Sequence, residues 1–451
     1  MFKKIFFSFL IAVFLLPNLV LADGMMIKSD PYGNRWDFAS ESNQQAYINY
    51  EDGWEKLILS VGLEETDSEA VWIFPVPANP ERVIIDVLTE MPDLRGEEIN
   101  KKAKSELENI KELLLMTQIY PTFFTSLTKP VMLSAPTNKS WELSDSVGYG
   151  RQSDVIVYEH LEKEGITTEI ITARTSKGLQ EYFKSKNLNI EQNSIPALNH
   201  YIGKEFTFIA SWISKNSATK SSSRQKGVFV TFPTKKIYYP LILTSVYGSE
   251  RIPTTIRIMG FVSPKVFKDI KNYTEIEYYI DNSIYLNIDN FFSGNTKNVK
   301  YTKIEMNAPS KLLTEDLWIS ARQPLQTFFP LFISQHPFTT GIILLVLISI
   351  LAGALAGFIV FCEVRNKKGI LKFGLLGLLN CFTIIALIIR IHSLKIKKSD
   401  EKNQELINKL KEQGYLIHRK DSKRKIVFIS LYSITYIILV ISILGLIEKI
   451  L

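Results

Sequence analysis

Three histidines stand where chemistry could be expected, His160, His200 and His336. An imidazole becomes a metal ligand or general base only beside suitable partners, and none of the three falls in a spacing such as HExxH. His160 lies in a charged stretch and reads as a solvated side chain. The chain carries no GxSxG elbow and no Walker loop, and its two cysteines, Cys362 and Cys381, sit in or beside apolar segments. No nucleophile is therefore marked by motif. The sequence assigns no catalytic, cofactor-binding or metal residue. It favours a non-enzymatic protein over an envelope hydrolase with an unrecognised site.

Two acidic clusters could offer oxygen ligands to calcium: Glu64, Glu65, Asp67 and Glu69, and Asp281, Asn282, Asp289 and Asn290. Neither follows a calcium-loop spacing, and a solvated hairpin or sheet face explains each. Trp36 and Trp54 could stack on wall sugars, although tryptophans in a domain this size usually belong to the core.

The elements that would position these residues read as α+β. Ala46–Tyr50, Glu55–Gly62, Val71–Val76 and Arg82–Leu88 show strand patterning, with the prolines of the third suited to an edge or a strand end. Ile99, Ala103, Leu107, Ile110 and Leu114 then recur every three or four residues, the stripe of an amphipathic helix from Glu97 to Gln118. Strands resume at Asp154–Tyr158 and Thr167–Ala173, and Ser176 can cap a helix that turns Leu179, Tyr182 and Phe183 to the core. Phe206–Trp212, Val228–Phe232, Ile237–Val246 and Thr254–Val262 continue a sheet, and Glu275–Ile288 alternates acidic and apolar residues. Residues 134–151, rich in Ser, Thr, Gly and Pro, read as a linker between a first β-rich subdomain with the long helix (23–133) and a second α+β subdomain (152–320). Residues 321–340 read as a membrane-proximal collar with Phe328, Phe329 and Phe332.

Lys3 and Lys4 precede the apolar run Ile5–Val20, and Val20 and Ala22 stand at the −3 and −1 positions of a signal peptide cleaved before Asp23; an uncleaved anchor is the alternative. Both place 23–340 outside the cytoplasm. Residues 341–362 are uncharged and apolar over 22 positions, long enough to span a hydrocarbon core of roughly 30 Å. Residues 426–447 form a second transmembrane helix. Phe373–Ile389, within 373–391, either crosses or re-enters, because the following basic loop 392–425 holds eleven Lys or Arg against five Asp or Glu, and such loops prefer the cytoplasm. That loop is expected to meet anionic membrane lipids. Gly353 and Gly357 form a small-xxx-small face, read either as intrachain packing against Gly374 and Gly377 or as a homodimer contact. The apolar segments carry no internal charge, which argues against a pump or transporter.

The net charge of +7 hides an asymmetry: residues 23–337 hold 34 Lys or Arg against 39 Asp or Glu. A mildly acidic exported region without a basic, aromatic-interleaved stripe excludes nucleic acid as a natural partner. It also lacks cysteine, so its stability must come from a packed core.

The segment Trp72-Ile-Phe-Pro-Val-Pro77, the strand, turn, strand and helix of Val155–Tyr182, the segment Ile195–Trp212 and Tyr239-Pro-Leu-Ile-Leu243 together resemble the bacterial domain of unknown function 2330 family, over roughly residues 23–265. The resemblance implies an exported or membrane-tethered bacterial protein with no catalytic residues to carry over. The expected function is a binding or assembly module of the cell envelope, with a transmembrane signalling component as a further alternative.

Overall fold

The computed structural model describes residues 25–29, 36–38, 41–63, 70–88, 91–117, 155–163, 166–186, 188, 190, 192–213, 227–281, 290–360, 373–378 and 420–451. The architecture is α+β. The chain divides into two units, one comprising Met1–Glu98 with Pro136–Leu325 and the other Ile99–Ala135 with Gln326–Leu451. The leader 1–22, the acidic residues 64–69, the linker 134–151, both cysteines and most of 379–419 lie outside the described residues.

The first unit is built from two large sheets. One has six strands in the order β2-β1-β5-β10-β9-β8: β2 Trp36–Phe38, β1 Met25–Ser29, β5 Ala70–Val76, β10 Thr207–Ile213, β9 Ile166–Ala173 and β8 Val155–Lys163. The other has eight in the order β6-β11-β4-β3-β13-β16-β15-β7: β6 Ile84–Leu88, β11 Gly227–Pro233, β4 Trp54–Leu63, β3 Glu41–Glu51, β13 Thr254–Met259, β16 Val299–Met306, β15 Thr274–Asp281 and β7 Glu97–Glu98. Side-chain alternation gives each sheet an apolar face. Trp72, Phe74, Ile170 and Ile209 of the first sheet pack with Ala46, Ile48, Leu57, Leu59, Val230, Ile256 and Ile304 of the second in one buried cluster. A small third sheet, β12 Ile237–Tyr239, β17 Leu317–Ser320 and β14 Ser263–Pro264, adds Ile237, Leu317 and Ile319 to it.

Each large sheet takes strands from both sides of 134–151. β5 pairs with β10, and β3 with β13 in parallel. The expected division into subdomains 23–133 and 152–320 is therefore replaced by one sandwich, because neither half can complete a sheet alone. Pro75 sits inside β5, a strand with neighbours on both sides; β1 reaches only Ile73, so on that side no ladder bond is lost at Pro75. The strand expected over Ile237–Val246 stops at Tyr239. Pro240 cannot donate to a ladder, and the amides of Leu241 and Ile242 instead donate to Asp316 Oδ1 at 2.8 and 3.0 Å. The Tyr201 hydroxyl donates to the same carboxylate at 2.9 and 3.0 Å, and the Tyr238 hydroxyl at 3.0 Å. A buried carboxylate with four donors ties three separate stretches of chain together.

In the second unit, α1 (Ile99–Thr117) packs with α4 (Phe328–Gln335), α5 (Pro337–Val360) and α6 (Lys420–Ile450). The long helix expected in the first subdomain belongs here: its stripe Ala103, Leu107, Ile110 and Leu114 is buried with Ile333, Leu344, Ile348, Tyr432 and Tyr436. Within the collar at 321–340, α4 and the first turn of α5 occupy 328–335 and 337–340. The apolar helix expected at 341–362 begins at Pro337, and the last residues of the basic loop, 420–425, are already helical. Pro337–Val360 and Val427–Ile450 are long and apolar enough to cross a membrane.

The Gly353 and Gly357 face is occupied within the chain. A Cβ on Gly353 would strike the backbone of Phe373 and Gly377, and one on Gly357 the Phe373 ring. Intrachain packing is thus what these glycines serve, and a second copy would have to displace residues 373–378. Tyr432 donates to the Gly377 carbonyl at 2.6 Å and Tyr436 to that of Leu114 at 3.2 Å, so both buried phenols are paired in apolar surroundings.

Candidate functional site

The strongest cluster of chemistry-bearing side chains gathers on the outer face of the six-stranded sheet. In the β8–β9 ladder His160 lies directly opposite Glu169, and directly opposed residues share a face. Thr175 then caps α2 (Ser176–Ser185), its hydroxyl accepting from the Gly178 amide at 2.9 Å. Leu179 and Phe183 fix that helix to the apolar part of the face. Tyr182 and Lys186 are thereby placed over Glu169.

Glu169 Oε1 meets His160 Nδ1 at 2.9 Å and Lys186 Nζ at 3.1 Å, while the Tyr182 hydroxyl donates to Oε2. The carboxylate is 3% exposed, against 53% for His160 and 42% for Lys186. Burial pushes the Glu169 carboxyl up, but hydrogen bonds from Tyr182, His160 and Lys186 and the Lys186 charge outweigh it, leaving the group below its ordinary value. Burial, reinforced by Glu169, pushes the Tyr182 phenol far up, so it remains a donor. A carboxylate can only accept, so Nδ1 carries the proton and Nε2 is the basic nitrogen of the neutral ring. The Lys186 ammonium also lies 5.4 Å from the Trp212 ring centre and 5.7 Å from that of Tyr182.

A carboxylate-oriented imidazole can act as a general base toward water. Thr168, next to Glu169 on β9, and Ser211, opposite Thr168 on β10, are buried with their hydroxyls 3.0 Å apart and lie on the other face of the sheet. Among the described residues no group of three or more His, Cys, Asp or Glu could hold a metal ion.

The remaining sequence candidates are dispersed. His200 ends α3 (Ile195–Asn199) and meets the Tyr201 ring edge-on at 5.0 Å. His336 joins α4 to α5, its carbonyl accepting from the Thr340 amide at 3.0 Å and hydroxyl at 2.9 Å. Of the second acidic cluster, Asp281 accepts the Arg95 amide at 2.8 Å, and Asn290 takes a left-handed turn at φ 67°. Asn282, Asp289 and the first acidic cluster lie outside the described residues. Arg82 covers one face of Trp54 at 5.5 Å; Trp36 lies on β2, and its side chain is outside the description.

One buried acid was missed altogether. Glu55 faces inward beside Leu57 and Leu59; its Oε2 accepts from the Tyr238 amide at 2.7 Å, and Oε1 has no hydrogen-bond partner. Burial pushes its carboxyl well above 4.5 and the single backbone bond offsets little of that. Below the ordinary carboxyl value both folded and unfolded chains hold this proton. Above it the unfolded chain releases the proton while the folded one keeps it, so stability falls as pH rises toward the folded value. Glu55→Gln is expected to remove a loss of roughly 1.4 kcal/mol per pH unit in that window. Urea midpoints of both proteins at pH 5 and pH 8 test this, and parallel pH slopes would show Glu55 ionised in the fold.

No protein-family model matches the chain, and no curated protein matches it. Among solved structures, the crystal structure of baculovirus P35 aligns over 62% of this chain and 97% of that one, at 11% identity and a TM-score of 0.26. So loose a superposition carries no argument.

Proposed function

We propose that this chain is a membrane-anchored, extracytoplasmic binding or assembly module of the bacterial cell envelope, exported by its N-terminal leader and resembling the domain of unknown function 2330 proteins. The observation that supports the reading most is α1. Although it lies between strands in sequence, it buries its apolar stripe against both candidate membrane helices. A simple tether needs one spanning helix and no such partner. The buried carboxylates of the sandwich fit the same reading, since Asp316 and Glu169 spend their oxygens on the chain's own donors. The basic loop 392–425 supplies contacts to anionic headgroups in this scheme.

The test is the size of the native particle. Blue-native electrophoresis of mildly solubilised membranes is expected to show a carbonate-resistant species well above the 51.6 kDa chain. A monomer in every mild detergent would sink the assembly reading. A soluble protein after carbonate would sink the membrane reading.

The carboxylate-oriented imidazole favours a second reading, an envelope hydrolase using His160 to activate water. The two readings separate on variants. As a support of α2, the half-exposed His160 is expected to contribute at most about 1 kcal/mol, and His160→Ala should leave the native particle intact. Glu169→Ala strands Tyr182 and loosens α2, so it should cost about 2–3 kcal/mol. Loss of in vivo function in His160→Ala with unchanged particle size and melting would instead favour the enzyme.

A further inference from the structure

An apolar groove of about 480 Å³ runs between α1 and α5, within the usual range of small-ligand sites. Leu113, Leu114 and Thr117 of α1 face Phe338, Gly341, Ile342 and Leu345 of α5, with Glu106 and Asn109 further along the α1 wall. We propose that this groove holds one acyl chain of a bilayer glycerophospholipid. The inference rests on the membrane reading of α5 and extends it to a lipid site on the protein.

Three observations point to that occupant. The α5 wall belongs to a candidate span and is continuous with its outward apolar residues Ile342, Ile343, Val346 and Leu347. Opposite it, α1 leaves Leu113 and Met116 exposed, so the rim is apolar on both helices. The α1 stretch from Ile110 to Thr117 is about 10 Å long at 1.5 Å per residue, which fits within the roughly 15 Å thickness of one leaflet's hydrocarbon. Glu106 and Asn109 lie toward one end of the α1 wall, which suits a mouth at headgroup level, while at the other end the Thr117 hydroxyl donates to the Leu114 carbonyl at 2.7 Å, so the chain can lie along Ile110 to Thr117. Gly341 makes the room: its Cβ position is 3.7 Å from Ile110, and a larger side chain there would fill the groove. Leu113–Thr117 thus lies at acyl depth, which gives the charged residues of α1 up to Glu112 to the headgroup region and its last apolar stretch, Leu113–Met116, to the bilayer.

The experiment uses the full chain in vesicles of phosphatidylethanolamine and phosphatidylglycerol doped with a phosphatidylcholine bearing a mid-chain diazirine. After irradiation, adducts are mapped by mass spectrometry. Adducts are expected on α1 106–117 and α5 337–345 as well as on the outward α6 residues Ile434, Ile438 and Ile441. Leu113→Trp, at an exposed position, is expected to reduce the groove adducts about tenfold, equivalent to 1.4 kcal/mol, and to leave those on α6 unchanged. Gly341→Phe should do the same from the other wall. Adducts on α6 with none in the groove, or groove adducts insensitive to both variants, would overturn the lipid site and leave the membrane reading standing. Adducts nowhere would overturn the membrane reading with it.

Discussion

Asp316→Ala is expected to lower the unfolding free energy by about 3–5 kcal/mol, the range for breaking a buried, fully partnered charge network. The substitution removes at once the acceptor of four donors: the hydroxyls of Tyr201 and Tyr238 and the amides of Leu241 and Ile242. Each buried donor left unpaired costs about 1–3 kcal/mol, and a domain of ordinary stability has only about 5–15 kcal/mol in total. Burial is the first cause that holds the Tyr238 phenol well above its ordinary value, and it remains when Asp316 is removed, so the phenol cannot compensate by ionising. Tyr238→Phe and Tyr201→Phe each remove a donor and keep the carboxylate's other partners, so each should cost about 1–2 kcal/mol. Urea unfolding followed by tryptophan fluorescence in mild detergent measures all three. An alanine variant within 1 kcal/mol of wild type would show that water replaces the lost oxygens.

The second large effect belongs to the helical unit. Gly353→Leu or Gly377→Leu should cost about 3 kcal/mol or more, the upper end for overpacking, because the new Cβ meets backbone. At Gly353 it strikes the Phe373 carbonyl and Gly377, and at Gly377 the Ser349 carbonyl. Relief requires residues 373–378 to leave α5, which also withdraws the Gly377 carbonyl from Tyr432. Close glycine contact is what lets helices associate where lipid competes for apolar surface. Resistance to unfolding by SDS is the measurement, with Gly445→Leu as the control, since nothing lies within 4 Å of a Cβ there. Equal resistance of all three variants would mean that 373–378 is not seated on α5. A homodimer contact through this face predicts instead a halved particle with unchanged subunit stability.

Much of the element content was legible because local rules govern it. Alternation marked Leu57–Val61, Val71–Val76 and Phe208–Trp212, and the three-and-four spacing marked α1 nearly to the residue. Pairing was not legible, since period-two patterning says which face a residue takes and nothing about its neighbour strand. Nothing local joins β3 to β13 or β5 to β10. Similarly, the stripe of α1 announced a buried face without saying that Tyr432 and Tyr436 would cover it.

The site was hidden for the same reason, though a faint signal existed. Glu55 and Glu169 are charged residues at positions whose neighbours two places along, Leu57 and Ile171, are fully buried. An acid breaking strand parity must be paired or protonated; Glu169 is paired by three donors, and burial pushes Glu55 toward its protonated form. The partners Tyr182 and Lys186 lie 13 and 17 residues beyond Glu169, and only the turn after β9 returns them to it.

The parallel pairing of β3 with β13 sets a clock on the chain's birth. Gln44 must wait for Thr254, and at about 5–20 residues per second of synthesis that interval is roughly 10–40 s. During it β3 and its hairpin partner β4 present an unmatched edge, the kind of surface that recruits other strands. Even a fast sheet former in this position cannot finish early, since the rate is limited by arrival of the missing strand. The nascent chain therefore has a vulnerable interval fixed by topology, and a holding chaperone acting on residues 41–63 would have its greatest effect there.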